Sequence, residues 1–201
     1  MTLTTDKQKL RCAELLVASY NEEDNRFTDM GELRFGLIDD ADTSYLIFPG
    51  TRNVQGWLTD LDILIRRTRT GFLAHSGFID AADKLWDAVS VDAPARDNLI
   101  ITGHSLGGAI AELFSEYTIE ACVTFGCPRN YSRLNVSLPT RDHARYVNGG
   151  DPIPHVPDAL NFQHPCDQTF LGKGSLLMHL DNHSMDMYYA NLQESQRAMV
   201  Q

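Results

Sequence analysis

The residue best placed to act as a nucleophile is Ser105, at the centre of residues 103–107, whose sequence is Gly-His-Ser-Leu-Gly. The pattern G-x-S-x-G arises by chance, so its context decides what it means. A short apolar strand is predicted over 98–102 and a helix over 106–117. A serine on such a strand-to-helix turn sits in a strained backbone with its hydroxyl exposed beside the amide donors of the helix. The motif indicates covalent catalysis by a serine.

A serine hydroxyl needs a base to become a nucleophile, and the base needs an acid to orient it. In motifs of this kind the acid and then the histidine follow the serine along the chain. Asp151 is the best acid candidate, because it comes just after a predicted strand and its loop is stiffened by three prolines. The sequence offers five histidines after the serine as the base: His143, His155, His164, His179 and His183.

The elements that must position these residues alternate between strands and helices. Helices are predicted over 6–20, 77–89, 106–117 and 184–199, and strands over 33–38, 44–48, 98–102, 121–125 and 143–147. A short helix leading into an edge strand is predicted over 56–65, and a hairpin around Phe162 and Phe170. Short, wholly apolar strands suit a sheet covered on both faces. The pattern predicts an α/β fold with a mostly parallel central sheet and helices on both faces.

Seven segments of the chain, in order, resemble motifs of the class 3 lipases, the fungal-type lipase family with an α/β-hydrolase fold. The resemblance as a whole covers about residues 33 to 192. The segments are Phe-Pro-Gly-Thr at 48–51, Trp-Leu-Thr-Asp at 57–60, His-Ser-Gly-Phe at 75–78, Gly-His-Ser-Leu-Gly-Gly-Ala at 103–109, Thr-Phe-Gly-Cys-Pro-Arg at 124–129, Asp-Pro-Ile-Pro-His-Val-Pro at 151–157 and His-Ser-Met-Asp-Met-Tyr at 183–188.

Carried over residue by residue, the resemblance implies a catalytic triad of Ser105 as nucleophile, Asp151 as orienting acid and His183 as base. It implies that Thr51 and Leu106 supply the backbone N–H groups of an oxyanion hole. The implied activity is hydrolysis of carboxylic esters, namely glycerolipids or related acyl esters, through an acyl-enzyme. No cofactor and no metal is implied.

Several alternatives stay open at this point. His179 competes with His183, since the two would share a helix face, but only His183 is followed by the Ser-Met pair of the family. The same spacing allows a metal pair, which with His155, His164 and Cys166 would make a metal-dependent hydrolase. A lipid-binding relative without catalysis, a phospholipase A1 and a thioesterase are further alternatives.

Two other histidines and two segments carry expectations of their own. His75 should pack or hydrogen-bond near the site, and the side chain of His104 should point away from the nucleophile and be buried or satisfied. Pro49 stands where the family usually has an arginine. Residues 52–56 and 66–73 are candidate lids, although an exposed edge strand is the favoured interpretation of 66–73. The chain is predicted to be a single near-minimal domain, 1–201, with at most a small lid.

Composition narrows the class and the partners. Of the 201 residues, 43% are hydrophobic and 22% charged, as in globular proteins, which excludes a disordered or coiled-coil chain. The net charge of −10 disfavours nucleic acid as a partner. A lipid or small acyl ester is the expected partner, with transient contact to a lipid surface, and the oligomeric state is left open. The sequence has no apolar run that could span a membrane and no export signal, so reduced cysteines and a cytoplasmic location are expected.

Overall fold

The computed structural model describes residues 4–54, 56, 64–89, 98–118, 120–139, 142–173 and 177–199. The α-helices in these ranges are α1 (Asp6–Ser19), α2 (Ser76–Val89), α3 (Leu106–Thr118) and α4 (Met185–Met199), and short 3-10 helices cover Ile153–His155 and Leu180–His183. The strands are β1 (Phe27–Met30), β2 (Leu33–Asp40), β3 (Thr43–Phe48), β4 (Ile65–Arg67), β5 (Leu73–His75), β6 (Leu99–His104), β7 (Ala121–Phe125), β8 (Tyr131–Ser132), β9 (His143–Asn148), β10 (Phe162–Gln163) and β11 (Gln168–Leu171).

A large mixed sheet organises the described residues, in the order β1-β2-β3-β6-β7-β9-β11. From β3 to β11 every neighbouring pair is parallel, whereas β1, β2 and β3 pair antiparallel. All six residues of β6 are buried, as expected for a central strand covered on both faces. The prediction of a mostly parallel central sheet is therefore confirmed.

Helices cover both faces of this sheet, also as predicted. Because successive side chains of a strand point to opposite faces, Leu46 of β3 packs in the core beneath α2 and α3, and Ile47 packs in the core beneath α1 and α4. Both side chains are fully buried. A fully buried large side chain contributes about 1.5–3 kcal/mol, so the two cores fix the strand that leads into the loop at 49–54.

A second, antiparallel sheet has the order β10-β8-β5-β4. It shows that the hairpin predicted around Phe162 and Phe170 is wrong. Phe162 is fully buried against the ring of His75, 5.5 Å away between centroids, and its strand pairs with β8. Phe170 is 63% exposed on β11, which pairs parallel with β9 in the large sheet. The two phenylalanines therefore belong to strands of different sheets, and one is buried while the other is exposed.

The remaining predictions of secondary structure have mixed outcomes. Strand β1 was not predicted from the sequence at all. Within 66–73, the edge-strand interpretation holds, since β4 pairs with β5 and ends the second sheet. The helix predicted to start at residue 56 falls almost wholly outside the described residues, as do Trp57 and Asp60 of the resembling motif. None of the helices in the described part of the chain is long and apolar enough to cross a membrane.

Candidate active site

Ser105 occupies the turn between β6 and α3 with a backbone φ of +58°. This left-handed conformation is costly for a residue with a side chain, by about 1–3 kcal/mol. The neighbouring glycines permit it, because a side chain at Gly103 would overlap the backbone of Gly107, and one at Gly107 would overlap the carbonyl of Phe48. The turn therefore requires the glycines that flank the serine, and it starts α3 directly behind the hydroxyl.

Asp151 and His183 form a buried pair. The carboxylate follows β9 and is fully buried, and its Oδ2 accepts a hydrogen bond from His183 Nδ1 at 2.8 Å. The other oxygen, Oδ1, accepts from the backbone N–H of Ile153 at 2.9 Å. A carboxylate can only accept these bonds, so His183 carries its proton on Nδ1. Its Nε2 is left as the basic nitrogen.

Tyr188 completes the surroundings of the acid. Its hydroxyl donates to Asp151 Oδ2 at 2.5 Å and accepts from the backbone N–H of Asn148 at 3.0 Å. Burial, together with the nearby Asp151 carboxylate, raises the pKa of the Tyr188 phenol well above its ordinary value, so the phenol stays a donor. Tyr188 lies one turn into α4, in the same motif as His183, yet the sequence alone gave it no role.

Two side-chain atoms of the site are buried and lack a hydrogen-bond partner within the described part of the chain. Among the described residues, neither Ser105 Oγ nor His183 Nε2 makes a hydrogen bond. Buried polar atoms are normally satisfied, so such an exception calls for a physical reason. A nucleophile and its base meet that description, since catalytic hydrogen bonds are often long in the free enzyme and tighten when substrate binds.

The loop over residues 49–54, the oxyanion loop of the sequence-based prediction, packs directly against the serine. A Cβ placed on Gly50 would lie 2.6 Å from the Cβ of Ser105 and 2.9 Å from the carbonyl oxygen of His104. Thr51 follows at once, and its side-chain oxygen accepts a hydrogen bond from the backbone N–H of Asn53 at 3.2 Å. Leu106 lies beyond the serine at the start of α3. Thr51 and Leu106 line a common cavity next to this loop.

A chain of hydrogen bonds links this loop to the base. The backbone N–H of Gly50 donates to the Tyr20 hydroxyl at 3.0 Å, and that hydroxyl lies 2.6 Å from His104 Nδ1. The Nε2 of His104 is 2.7 Å from the backbone carbonyl oxygen of His183. Because a carbonyl only accepts, His104 donates a hydrogen bond from Nε2. Its Nδ1 accepts a hydrogen bond from the Tyr20 hydroxyl. Burial first, and the neighbouring His183 second, hold the pKa of His104 well below its ordinary value.

The remaining histidines do not converge on a metal site. His179 is exposed and caps the 3-10 helix that leads to His183, so the two do not share a helix face as expected. His164 bonds the carbonyl of Pro154, and His155 is exposed. Within the described residues, no three His, Cys, Asp or Glu side chains are arranged to hold a metal ion.

His104 is buried and satisfied as the sequence suggests, and His75 packs against aromatic rings of the second sheet's surroundings. His75 is buried, with its ring 4.4 Å from that of Phe78. His104 is buried and hydrogen-bonded on both ring nitrogens. The sequence did not reveal that the His104 ring would stack on His183, nor that Tyr20 at the end of α1 would reach the oxyanion loop. Nothing in the local pattern around Tyr20 signals this contact, because the contact spans 30 positions of the chain.

Comparison with known proteins decides the family. The sequence model of the class 3 lipases matches residues 45–161, more than half of the chain. The chain belongs to the class 3 lipase family. The resemblance that the seven motifs carry is therefore confirmed, and the matched region contains Ser105 and Asp151 and ends before His183.

Curated relatives of this chain include fungal and nematode proteins. The chain is 28% identical over 144 residues to the secreted mono- and diacylglycerol lipase 1 of Fusarium solani. This match covers 63% of the chain and 43% of that protein. The chain is 27% identical over 162 residues to a lipase of Rhizopus oryzae, covering 68% and 41% of the two chains. The chain spans about half the length, or less, of the curated relatives it matches.

The solved structures that resemble this chain include fungal lipases. The lipase of Rhizopus microsporus var. chinensis superposes with a TM-score of 0.69 at 20% identity, covering 85% of this chain and 75% of that one. Lip2 lipase of Yarrowia lipolytica gives 0.65 at 20% identity, over 88% and 82%. At this identity the likeness concerns the fold, and the fold is that of the α/β hydrolases, as the sequence predicted.

Proposed function

We propose that this class 3 lipase hydrolyses carboxylic esters of glycerolipids or related acyl compounds, with Ser105, Asp151 and His183 as its catalytic triad. The observation that carries the proposal is the strained Ser105 turn beside a buried, hydrogen-bonded Asp151–His183 pair, with both the serine hydroxyl and His183 Nε2 unpartnered among the described residues. A serine without a nearby Asp–His pair, or such a pair without a serine, would not show this combination of features.

The proposed reaction follows from the positions of the protons. His183 Nε2 takes the proton of Ser105 Oγ while the oxygen attacks the ester carbonyl, and Asp151 stabilises the imidazolium that forms. The tetrahedral oxyanion accepts hydrogen bonds from the backbone N–H groups of Thr51 and Leu106. Loss of one such donor costs about 2.7–4 kcal/mol of transition-state stabilisation. No cofactor takes part in these steps.

Acylation ends with loss of the alcohol, and hydrolysis of the acyl-enzyme then repeats the proton transfers with water. The intermediate collapses, the alcohol leaves with the proton from His183, and the acyl group stays on Ser105. Water then gives a proton to His183 and attacks the acyl-enzyme, which releases the fatty acid and restores the serine. The imidazole of His183 must be neutral at the start of each half of the reaction, since only then can it accept a proton.

The deciding experiment pairs Ser105→Ala with labelling by a fluorophosphonate, which reacts only with activated serines. We expect the wild-type protein to be labelled at Ser105 and to release fatty acid from esters, and the variant to do neither. Labelling without ester hydrolysis would favour a non-catalytic or differently specialised relative. Retained hydrolysis in Ser105→Ala would contradict the proposed mechanism.

Contact with a lipid surface is part of the proposal. Three large apolar side chains on the turn before the base are exposed: Leu177 by 81%, Met178 by 56% and Leu180 by 39%. Exposed apolar groups beside a reactive centre favour contact with an apolar surface. A comparison of rates on dispersed short esters and on an emulsion tests it, since a jump in rate at the interface is expected.

We also propose, as predicted from the sequence, a single domain over 1–201 and a reducing, cytoplasmic location. Free thiols at Cys12, Cys122, Cys127 and Cys166 support the location, although a relative is named as secreted. Assay of the cytosol and the growth medium of the native cells tests it, and enzyme found only in the medium would contradict it. Limited proteolysis that leaves one resistant core tests the single domain.

A further inference from the structure

The backbone on both sides of His183 is held by buried side chains from distant parts of the chain. On the N-terminal side, the carbonyl oxygen of Asn182 accepts a hydrogen bond from Asn148 Nδ2 at 2.9 Å. On the C-terminal side, the carbonyl oxygen of His183 itself lies 2.7 Å from His104 Nε2, which donates to it. Because a peptide group is planar, these two bonds fix the two peptide planes that meet at the Cα of His183.

The carbonyl of Asn182 needs a donor from outside its own helix. Asn182 lies in the 3-10 helix Leu180–His183, which ends before α4 begins at Met185. The last carbonyls of a helix have no N–H partner within it, and side chains or water satisfy them. Asn148 supplies this donor, and since the residue is only 2% exposed, its amide is shielded from competing water.

Asn148 is itself held at the end of β9. Its Oδ1 accepts a hydrogen bond from Asn191 Nδ2 of α4 at 3.0 Å, and its backbone N–H donates to the Tyr188 hydroxyl at 3.0 Å. That hydroxyl donates in turn to Asp151 Oδ2. One buried residue therefore contacts both the tyrosine that serves the acid and the helical turn that carries the base.

We propose that Asn148 is a positioning residue of the reaction, which orients the His183 imidazole through the carbonyl of Asn182. The inference rests on the proposed function and adds to it a residue that touches neither the substrate nor the reacting atoms. A tilt of the peptide plane before His183 moves both ring nitrogens, one of which bonds Asp151 while the other serves Ser105. Displacement of a reacting group by about 1 Å costs about a hundredfold in rate.

The experiment compares Asn148→Ala with the wild-type protein in hydrolysis of p-nitrophenyl butyrate and in labelling of Ser105 by a fluorophosphonate. The kcat per labelled site and the rate constant of labelling should both fall about tenfold to a hundredfold. KM should change by less than about twofold, because no contact with substrate is removed. The amplitude of labelling counts the folded sites, so unfolding of part of the sample does not imitate a lower rate constant.

A second measurement follows the proton between His183 Nδ1 and Asp151 Oδ2, which are 2.8 Å apart. Proton NMR detects such a proton far downfield, and its absence in His183→Gln assigns the signal. The signal should shift or disappear in Asn148→Ala. Asn148→Leu also removes the donor but keeps the space filled, and it takes the place of the alanine variant if that variant does not fold.

The matched control is Asn135→Ala beside the second sheet. The Nδ2 of Asn135 donates to the carbonyl oxygen of Leu73 at 2.7 Å, and its Oδ1 accepts from the backbone N–H of the same residue at 2.8 Å. This variant also loses amide hydrogen bonds but should keep the wild-type kcat, labelling rate constant and downfield signal. Equal losses in the Asn135 and Asn148 variants would overturn the inference. A wild-type rate constant and signal in Asn148→Ala, with only stability lowered, would overturn it too, since Asn148 would then serve the fold alone.

Failure of the proposed function gives a different result. A wild-type protein that takes up no fluorophosphonate and cleaves no ester would contradict the esterase. The downfield signal then decides the role of Asn148 by itself. Its loss in Asn148→Ala would support the placement of the imidazole by this residue, and its retention would overturn the inference.

Discussion

The imidazole ring of His104 is stacked on that of His183, with centroids 4.5 Å apart and ring planes inclined by 29°. The neighbour of the nucleophile in sequence is thus the neighbour of the base in space. A second positive charge at that distance would oppose formation of an imidazolium on His183. Burial first, and the nearby His183 second, hold the pKa of His104 well below its ordinary value, which keeps the stacked ring neutral. The Tyr20 hydroxyl satisfies His104 Nδ1 in this neutral form.

Removal of that hydroxyl is the first prediction. In Tyr20→Phe, the backbone N–H of Gly50 and His104 Nδ1 both lose their partner, and an unsatisfied buried group costs about 1–3 kcal/mol. Since the oxyanion loop and the base are both affected, kcat should fall about tenfold to a hundredfold, with a smaller change in KM. Steady-state kinetics measures the split. Tyr189→Phe is the control, because its hydroxyl bonds Glu14 at 3.2 Å, away from these contacts. Equal effects of the two changes would contradict the prediction.

The orienting role of Asp151 gives a second prediction. Asp151→Asn keeps the size of the side chain but replaces an acceptor of the His183 Nδ1–H bond with an amide, so the histidine takes the wrong tautomer. In triads of this kind the loss in kcat is about 10⁴-fold, and the rate of fluorophosphonate labelling should fall with it. The control is Asp158→Asn in an exposed turn, where activity should be kept. A variant at Asp151 that retained most of its activity would argue against the triad.

A third prediction concerns the space beside the base. A Cβ on Gly126 would lie 2.8 Å from His183 Cε1 and 2.9 Å from its Nδ1, and the backbone there has a φ of +57°. Gly126→Ala should therefore displace the imidazole, abolish most activity and lower the free energy of unfolding. Gly31→Ala is a matched control, because its φ is +65° but a Cβ meets nothing within 4 Å. It should lose about 1–2 kcal/mol of stability and keep its kcat; an inactive Gly31→Ala with a normal Gly126→Ala would reverse the interpretation.

A fourth prediction follows from the buried histidines. Burial first, and Arg145 second, lower the pKa of His164 to about 3. The unfolded chain, with an ordinary histidine pKa, binds more protons below about pH 6.5, so stability is present above that pH and is lost as the pH falls toward about 3. Each such histidine contributes a slope of at most about 1.4 kcal/mol per pH unit.

The measurement is the free energy of unfolding in denaturant at several pH values between about 6.5 and 4. His164→Gln should flatten the pH dependence relative to the wild-type protein, because one buried titrating group is removed. His179→Gln, at a side chain that is 68% exposed, is the control and should leave the slope as it is. Parallel slopes for His164→Gln and the wild type would show that another group dominates the acid sensitivity.

Local signals were sufficient for much of the framework. Three of these signals are properties of neighbouring residues and can therefore be recognised in a single sequence. They are the apolar run at β6, the glycines around Ser105 and the helical spacing of apolar residues in α2. The two short strands β10 and β11 were misassigned because four residues separate them and the sequence does not say which sheet each joins. Strand β1 was missed since it is short and mostly exposed, so its pattern resembles that of a loop.

By itself the sequence indicated the chemistry: a serine in a G-x-S-x-G turn, followed along the chain by Asp151 and then by histidines, in the order typical of a hydrolase of this fold. Only the tertiary structure decided which histidine reaches the acid, since His183 lies 2.8 Å from Asp151 while His179 is left in solvent. It alone revealed Tyr20 and Tyr188 as partners of the site. These contacts join residues 30 to 84 positions apart in the chain, and packing against two cores, which no local pattern encodes, brings them together.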